Sequence, residues 1–250
     1  MSGHSKWHTI KHKKGALDAK RGKIFTRIIK ELSVAARSGG GDPAMNPRLR
    51  TVIAEAKSVN MPNDNITRAI RRGTGEEEGV SYEEITYEGY GPGGAAVIIE
   101  TLTDNRNRTV GELRHLLTKN NGSLGETNSV AWMFERKGYI VVEKDKADEE
   151  QLMAAVLDAG GEDMGDEGDT WGITTDVATY ETVLEAIKSL SVEPATAQAM
   201  AMLPKSTIKL EGKTAQQMLK LMDALDDHDD VKQVWSNFDI EEKEIEASLA

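Results

Sequence analysis

Apolar positions recur along this chain with two periods, and the change from one to the other falls near residue 79. Upstream the spacing is helical. At 100° per residue, Leu17, Ile24, Phe25, Ile28, Leu32 and Ala35 fall within about 100° of arc, which predicts an amphipathic helix from Leu17 onward. Ser38-Gly39-Gly40-Gly41-Asp42-Pro43 ends it. Asn46-Pro47 then supplies an N-cap and a proline in the first turn, and Leu49, Val52, Ile53, Ala56 and Val59 make the buried stripe of a second helix. A third follows Met61-Pro62-Asn63-Asp64, packs Ile66, Ala69 and Ile70, and stops at Gly73. Residues 1–15 carry no sustained apolar period and read as a flexible basic arm.

Past the linker Glu76-Glu77-Glu78-Gly79, strand patterns take over. Residues 85–90 and 95–103 are β-rich and joined by Gly91-Pro92-Gly93-Gly94. Residues 109–119 form a helix with Val110, Leu113, Leu116 and Leu117 inward, broken by Asn121-Gly122. A strand over 130–135 leads through a turn at Arg136-Lys137-Gly138 into a strand over 139–143. Residues 139–204 then read βαββαβ, with strands at 139–143, 162–164, 171–175 and 197–203 and helices at 148–159 and 179–190. That is the order of the split βαβ, ferredoxin-like motif. After Pro204 come a strand at 206–210, a helix at 214–225 and a strand at 231–238, which predicts one sheet built from both sides of the insert. The expected fold class is α+β: a small all-α N-terminal domain followed by two α/β sandwich domains, the last inserted in the middle one and ferredoxin-like. The boundaries are 1–78, then 79–137 with 205–250, then the insert 138–204.

Charge sharpens this division. The net charge is −11, yet residues 1–75 hold 16 Lys and Arg against 5 Asp and Glu, so residues 76–250 hold 15 against 37, or −22. A basic head of +11 on an acidic body points to a polyanion partner, of which nucleic acid is the commonest. On the first helix Lys20, Lys23, Arg27, Lys30 and Arg37 occupy an arc beside the apolar one, with Asp18 and Glu31 as the only acids between residues 16 and 37. The absence of Cys excludes disulfides, thiolate metal sites and cysteine nucleophiles. With no apolar run near the ~18 residues of a membrane span and no signal-peptide core, the reading is a cytoplasmic protein.

Candidate chemistry narrows further. The glycine turn at 91–94 lacks the Lys and Ser/Thr of a P-loop. Asp104-Asn105-Arg106-Asn107-Arg108 sits at a helix start, where backbone N–H groups favour anions; Asn107 is a candidate cap, and Arg106 and Arg108 project either as phosphate contacts or as solvated arginines of a capping turn. Asp226-Asp227-His228-Asp229-Asp230 lacks the glycine and closing glutamate of a calcium loop and reads as a solvated connection. His4, His8 and His12 recur without a carboxylate. Once Met1 is removed, Ser2-Gly3-His4 offers four nitrogens suited to square-planar Cu(II) in vitro, with no metal site assigned in the cell. Neither Gly-x-Ser-x-Gly nor His-Glu-x-x-His occurs, and the chain is read as no enzyme, with no cofactor and no small-molecule substrate.

Several strings carry a resemblance: Gly3-His4-Ser5-Lys6-Trp7, Ile10-Lys11-His12-Lys13-Lys14, Asp18-Ala19-Lys20-Arg21-Gly22-Lys23, Gly39-Gly40-Gly41-Asp42-Pro43 and Asn46-Pro47-Arg48-Leu49-Arg50. Tyr87-Glu88-Gly89-Tyr90-Gly91-Pro92-Gly93-Gly94 and Thr103-Asp104-Asn105-Arg106-Asn107-Arg108-Thr109 complete it. Together they resemble the YebC family over nearly the whole chain, least over 139–204. The resemblance implies three domains and a regulator of gene expression: bacterial members are labelled transcriptional regulators that bind DNA, while mitochondrial relatives activate translation. Bacterial members have also been tied to ribosomes stalled on proline-rich stretches, so a ribosome- and rRNA-binding translation factor is the alternative. The expected nucleic-acid contacts are Lys6, Trp7, Lys11, Lys13, Lys14, Lys20, Arg21, Lys23, Arg27, Lys30, Arg106 and Arg108. Trp7 either stacks on an unpaired base or packs back on the helical domain. The partner is DNA or ribosomal RNA, with no membrane, and the protein is a monomer.

Overall fold

The computed structural model describes Trp7 and residues 21–248; the start of the first helix near Leu17 and the rest of the basic arm lie outside the described residues. Helices α1 (Arg21–Gly39), α2 (Pro47–Ser58) and α3 (Asn63–Thr74) follow the predicted stripes. Ile28, Leu32, Ala35 and Ala36 of α1 meet Leu49, Val52 and Ala56 of α2 and Met61, Ile66 and Ala69 around α3, with Ile24, Phe25, Ile53, Val59 and Ile70 at the margin. Asn46 caps α2 by accepting from the Leu49 N–H at 3.0 Å, while its amide donates to the carbonyls of Ala35 and Gly40. One buried side chain thereby fastens the glycine loop to two helices.

Gly73 does not stop α3, which runs on to Thr74 and is closed by Gly75 at φ 81. Gly73 instead marks the crossing of α3 over α1: a Cβ there would run into the Ser33 carbonyl and lie 2.8 Å from the Ala36 Cβ.

The first sheet begins with the antiparallel pair β1 (Glu83–Tyr90) and β2 (Ala96–Thr103), closed by the 91–94 turn with Tyr90 opposite Ala96. Helix α4 (Arg106–Lys119) buries Thr109, Leu113 and Leu117, and the short β3 (Ser123–Leu124) returns beside β1. The insert is built from β4 (Phe134–Glu143), α5 (Glu149–Asp158), β5 (Gly161–Asp166), β6 (Thr170–Thr175), α6 (Tyr180–Ser189) and β7 (Thr196–Pro204). Its sheet order, β5-β6-β4-β7, is the ferredoxin-like one. Ile140, Val142 and Ile173 face Leu152, Val156, Val183 and Ile187 of the two helices. The chain ends with β8 (Ile208–Lys209), α7 (Gly212–Asp226), β9 (Val231–Ser236), β10 (Phe238–Asp239) and α8 (Glu242–Ser248).

Two expectations change. The strand at 130–135, the turn at 136–138 and the strand at 139–143 are one strand, β4, preceded by a short 3-10 turn over Ala131–Met133. Gly138 is no turn residue; a Cβ there would meet the Thr175 hydroxyl and lie 2.7 Å from a Tyr180 ring carbon, and the register slips between Lys137 and Tyr139. The sheet joining both sides of the insert exists, in the order β3-β1-β2-β9, but β8 is not part of it. The predicted strand 231–238 divides at Asn237, and its far end β10 pairs in parallel with β8.

Two compact units result. One holds residues 21–129 and 216–234, so the three helices and the first sheet share it. The other holds residues 130–215 and 235–248, with Trp7. The architecture is α+β, with a helical N-terminal part followed by two α/β parts, the ferredoxin-like one inserted in the other.

Gly73→Ala should therefore lower the stability of the helical part by about 1–3 kcal/mol. The measurement is the urea midpoint with the slope m checked for constancy. An unchanged midpoint would mean that α1 and α3 separate freely at this crossing.

Candidate nucleic-acid interface

Of the cations expected to meet phosphate, Lys6, Lys11, Lys13, Lys14 and Lys20 lie outside the described residues, and Arg21 is described only as the first residue of α1. Lys23 and Arg27 stand on the exposed side of α1. Lys23 Nζ donates to the Asp227 carbonyl at 2.7 Å, and Arg27 lies 3.7 Å from Glu55. Arg106 is exposed in the first turn of α4. The cap of that helix is Asn105 rather than Asn107: its side chain accepts from the Arg108 N–H at 3.1 Å.

Lys30 is a correction. It sits on the expected arc of α1 but is buried, and its Nζ donates to Asp230 Oδ1 at 2.7 Å and to the carbonyls of Asp229 and Leu102 at 3.0 and 3.3 Å. It serves the fold and offers no phosphate contact. Asp230 corrects the reading of 226–230 as solvated, because its side chain is 3 % exposed. Arg108 Nη2 donates to Asp230 Oδ2 at 2.7 Å and to Asp104 at 2.8 Å, and the Thr109 hydroxyl donates to the same Oδ2 at 2.8 Å. The Thr103 hydroxyl, 2.7 Å from that of Thr109, closes this side. Burial alone would raise the Asp230 carboxyl, but hydrogen bonds from Arg108, Lys30 and Thr109 hold it well below the usual carboxylate range. Hydrogen bonds to Asp230 and Asp104 raise the Arg108 guanidinium in turn.

A second ionic cluster lies between α1, α2 and the sheet. Arg48 reaches Glu31 at 2.6 Å and Glu84 at 3.0 Å, and Lys232 reaches the same two acids at 3.2 and 3.4 Å. Burial acts to raise Glu84, and the Arg48 hydrogen bond and the Lys232 charge outweigh it, so its carboxyl falls below the ordinary value. Beside Asp230, its own backbone N–H donates to His228 Nδ1 at 3.1 Å while His228 Nε2 lies 2.9 Å from Glu112. Glu112, His228 and Asp230 thus bring metal-ligating atoms within 4.8 Å of one another. They do not suit a cation, since both Asp230 oxygens already face fixed positive charges.

The cations left on the surface differ from those expected. Arg50 and Lys57, seven residues apart on α2, and Arg71 on α3 are exposed and form no ion pair among the described residues. Arg68 and Arg72 lie 3.9 and 3.5 Å from Glu77. The sequence signal for Arg50 and Lys57 was their two-turn spacing around Ile53 and Ala54. Trp7 is fully buried and groups with the second compact unit, so its ring is not offered to a base.

Residues 5–76 match the family description "TACO1/YebC protein N-terminal domain" and residues 82–238 match "TACO1/YebC second and third domain". The chain belongs to the TACO1/YebC family. A "probable transcriptional regulatory protein" of Acidobacterium capsulatum is 62% identical over 244 residues, 98% of each chain. One from Geobacter sulfurreducens is 56% identical over 98% of this chain and 99% of its own. The crystal structure of a conserved hypothetical protein from Aquifex aeolicus superposes with a TM-score of 0.81 at 46% identity, covering 90% of this chain and 92% of that one. Among the described residues of this TACO1/YebC protein, no helix is long and apolar enough to cross a membrane.

Asp230→Asn should destabilise the first unit by about 3–5 kcal/mol near neutral pH, because Lys30 keeps its buried charge without a full counter-charge. A carboxyl with a depressed folded pKa contributes fully above its unfolded value of about 3.9 and loses that contribution as pH falls toward the folded value. Melting temperatures of parent and variant should therefore stay apart near neutral pH and converge below about pH 4. A gap that stays constant down to strong acid would show that charge is not what Asp230 supplies.

Proposed function

We propose that this chain is a nucleic-acid-binding regulator of gene expression, with DNA as its target, working through its basic N-terminal part. The observation that carries the reading is the sorting of charge: +11 over residues 1–75 against −22 over the remainder. Phosphates are drawn to the first and repelled by the second, which favours docking on the basic part. Exposed Arg50, Lys57 and Arg71 add to the lysines of the arm, and the names of the relatives agree with a regulatory role. Backbone contacts of this kind give affinity and position, while sequence preference comes from base edges or from DNA shape. No enzymatic step is part of the reading.

Competition binding of the full-length protein against duplex DNA, ribosomal RNA and ribosomes at physiological salt tests it. Removing residues 1–75 would be the wrong control, since it would strip Lys30 from the buried Asp230. The suitable variant is Lys11→Ala with Lys13→Ala and Lys14→Ala, expected to flatten the salt dependence by about 2–3 units of log K per log salt. Lys30→Met, once shown to be folded, should leave that slope unchanged. Preference for duplex DNA supports the proposal; tight ribosome binding that resists excess DNA would replace it with a role in translation. An unchanged slope in the triple variant would remove the arm from the binding surface.

A further inference from the structure

Between two of its exposed cations the helical part carries an apolar surface that phosphate contacts do not use. Pro43 and Ala44 of the glycine loop and Arg50, Ile53, Ala54 and Lys57 of α2 line an open cleft of about 410 Å³ with apolar walls. Its floor is Ile53, whose other side packs on the helical core. Arg50 and Lys57 stand at its two ends, two helical turns or about 10 Å apart. The Arg50 guanidinium is held at the rim by Nη1, which donates to the Pro43 carbonyl at 3.0 Å. Lys57 is exposed and makes no ion pair among the described residues.

We propose that this cleft is a docking site for an acidic protein segment, which seats one large apolar side chain on Ile53 and Ala54 and sets flanking carboxylates against Arg50 and Lys57. The apolar walls decide between a protein segment and a nucleotide. None of the lining residues is aromatic, so a base finds no ring to stack on. The polar edge of a base laid over Ile53 and Ala54 would meet only apolar side chains there, the cations standing at the two ends. An aliphatic or phenyl side chain has no polar group to desolvate on entering. The cations at both ends select the charge of its neighbours, as in helix-in-groove recognition. The site lies on the basic part and goes beyond the binding of nucleic acid, giving that part a protein partner of opposite charge.

The test is titration of the full-length protein, by backbone amide NMR, with a short synthetic peptide carrying a central Leu-Phe pair flanked by glutamates. Two controls replace Leu-Phe by Ser-Ser or the glutamates by lysines. Saturable shifts confined to amides within 43–57, with both controls at least about tenfold weaker (about 1.4 kcal/mol), are the expected result. Ala54→Glu fills the cleft with a carboxylate at an exposed helical position where the fold tolerates it, and should abolish binding. Lys57→Glu should weaken the glutamate peptide and improve the lysine one. Absent shifts, shifts elsewhere, or equal binding of the Ser-Ser peptide would overturn the proposal. So would a single-stranded oligonucleotide that moves the same amides and is blocked by Ala54→Glu, which would make the cleft a nucleotide site.

Discussion

The buried carboxylate of Asp230 governs how the first unit is assembled. It stands in the turn immediately before β9, a strand reached only after the inserted domain, yet its partners are Lys30 on α1 and Arg108 on α4. Taking a carboxylate out of water is expensive, and the expense is met only where cations and hydroxyls replace the lost hydration completely. Here two cations and the hydroxyls of Thr103 and Thr109 do so. The arrangement has one solution: α1, the end of β2, the start of α4 and the start of β9 must all be present together. A chain whose ends of this unit lie about 200 residues apart is thereby closed around its insert.

The same logic explains why the helical part is no bead on a string. Glu76-Glu77-Glu78-Gly79 has the composition of a linker, but Glu77 turns back toward Arg68 and Arg72 and Glu76 accepts from the Thr74 hydroxyl. Arg48 and Lys232 share Glu31 and Glu84, tying α1, α2, β1 and β9 in a second cluster. Exposed pairs contribute little singly, but Glu31 is only 10 % exposed, and four charges held in one network keep a geometry that isolated pairs do not.

What the sequence made legible follows the range of the interaction involved. Helical stripes and the βαββαβ order depend on neighbours three or four residues away or on element order, and α1 to α3 and the ferredoxin-like sheet came out accordingly. Asn46 as a cap was readable for the same reason, whereas the choice between Asn105 and Asn107 turned on a register of two residues. Gly138 misled because a glycine between charged residues signals a turn as readily as a close approach, and the obstacle, Thr175 and Tyr180, lies about forty residues on. Lys30 misled for a stronger reason. Its arc on α1 is correct, but a lysine beside an apolar face is solvated or buried according to what packs there, and the decisive acid belongs to the far side of the insert.

That distinction bears on where an external polyanion can bind. Charge counts treat every lysine and arginine alike, but the fold consumes some of them: Lys30, Arg48 and Arg108 each neutralise carboxylates of the protein itself. A lysine buried and paired at 2.7 Å, as Lys30 is, cannot contact a phosphate without releasing its partner, which would be left buried and charged. The field that reaches solvent therefore comes from the cations without such partners, and at physiological salt it fades within about 8 Å. Within that distance the surface of α2 and α3 is positive through Arg50, Lys57 and Arg71, whatever the acidity of the remaining chain. Loss of binding on substitution is informative only at such residues; at Lys30 or Arg108 it would report the collapse of an internal support.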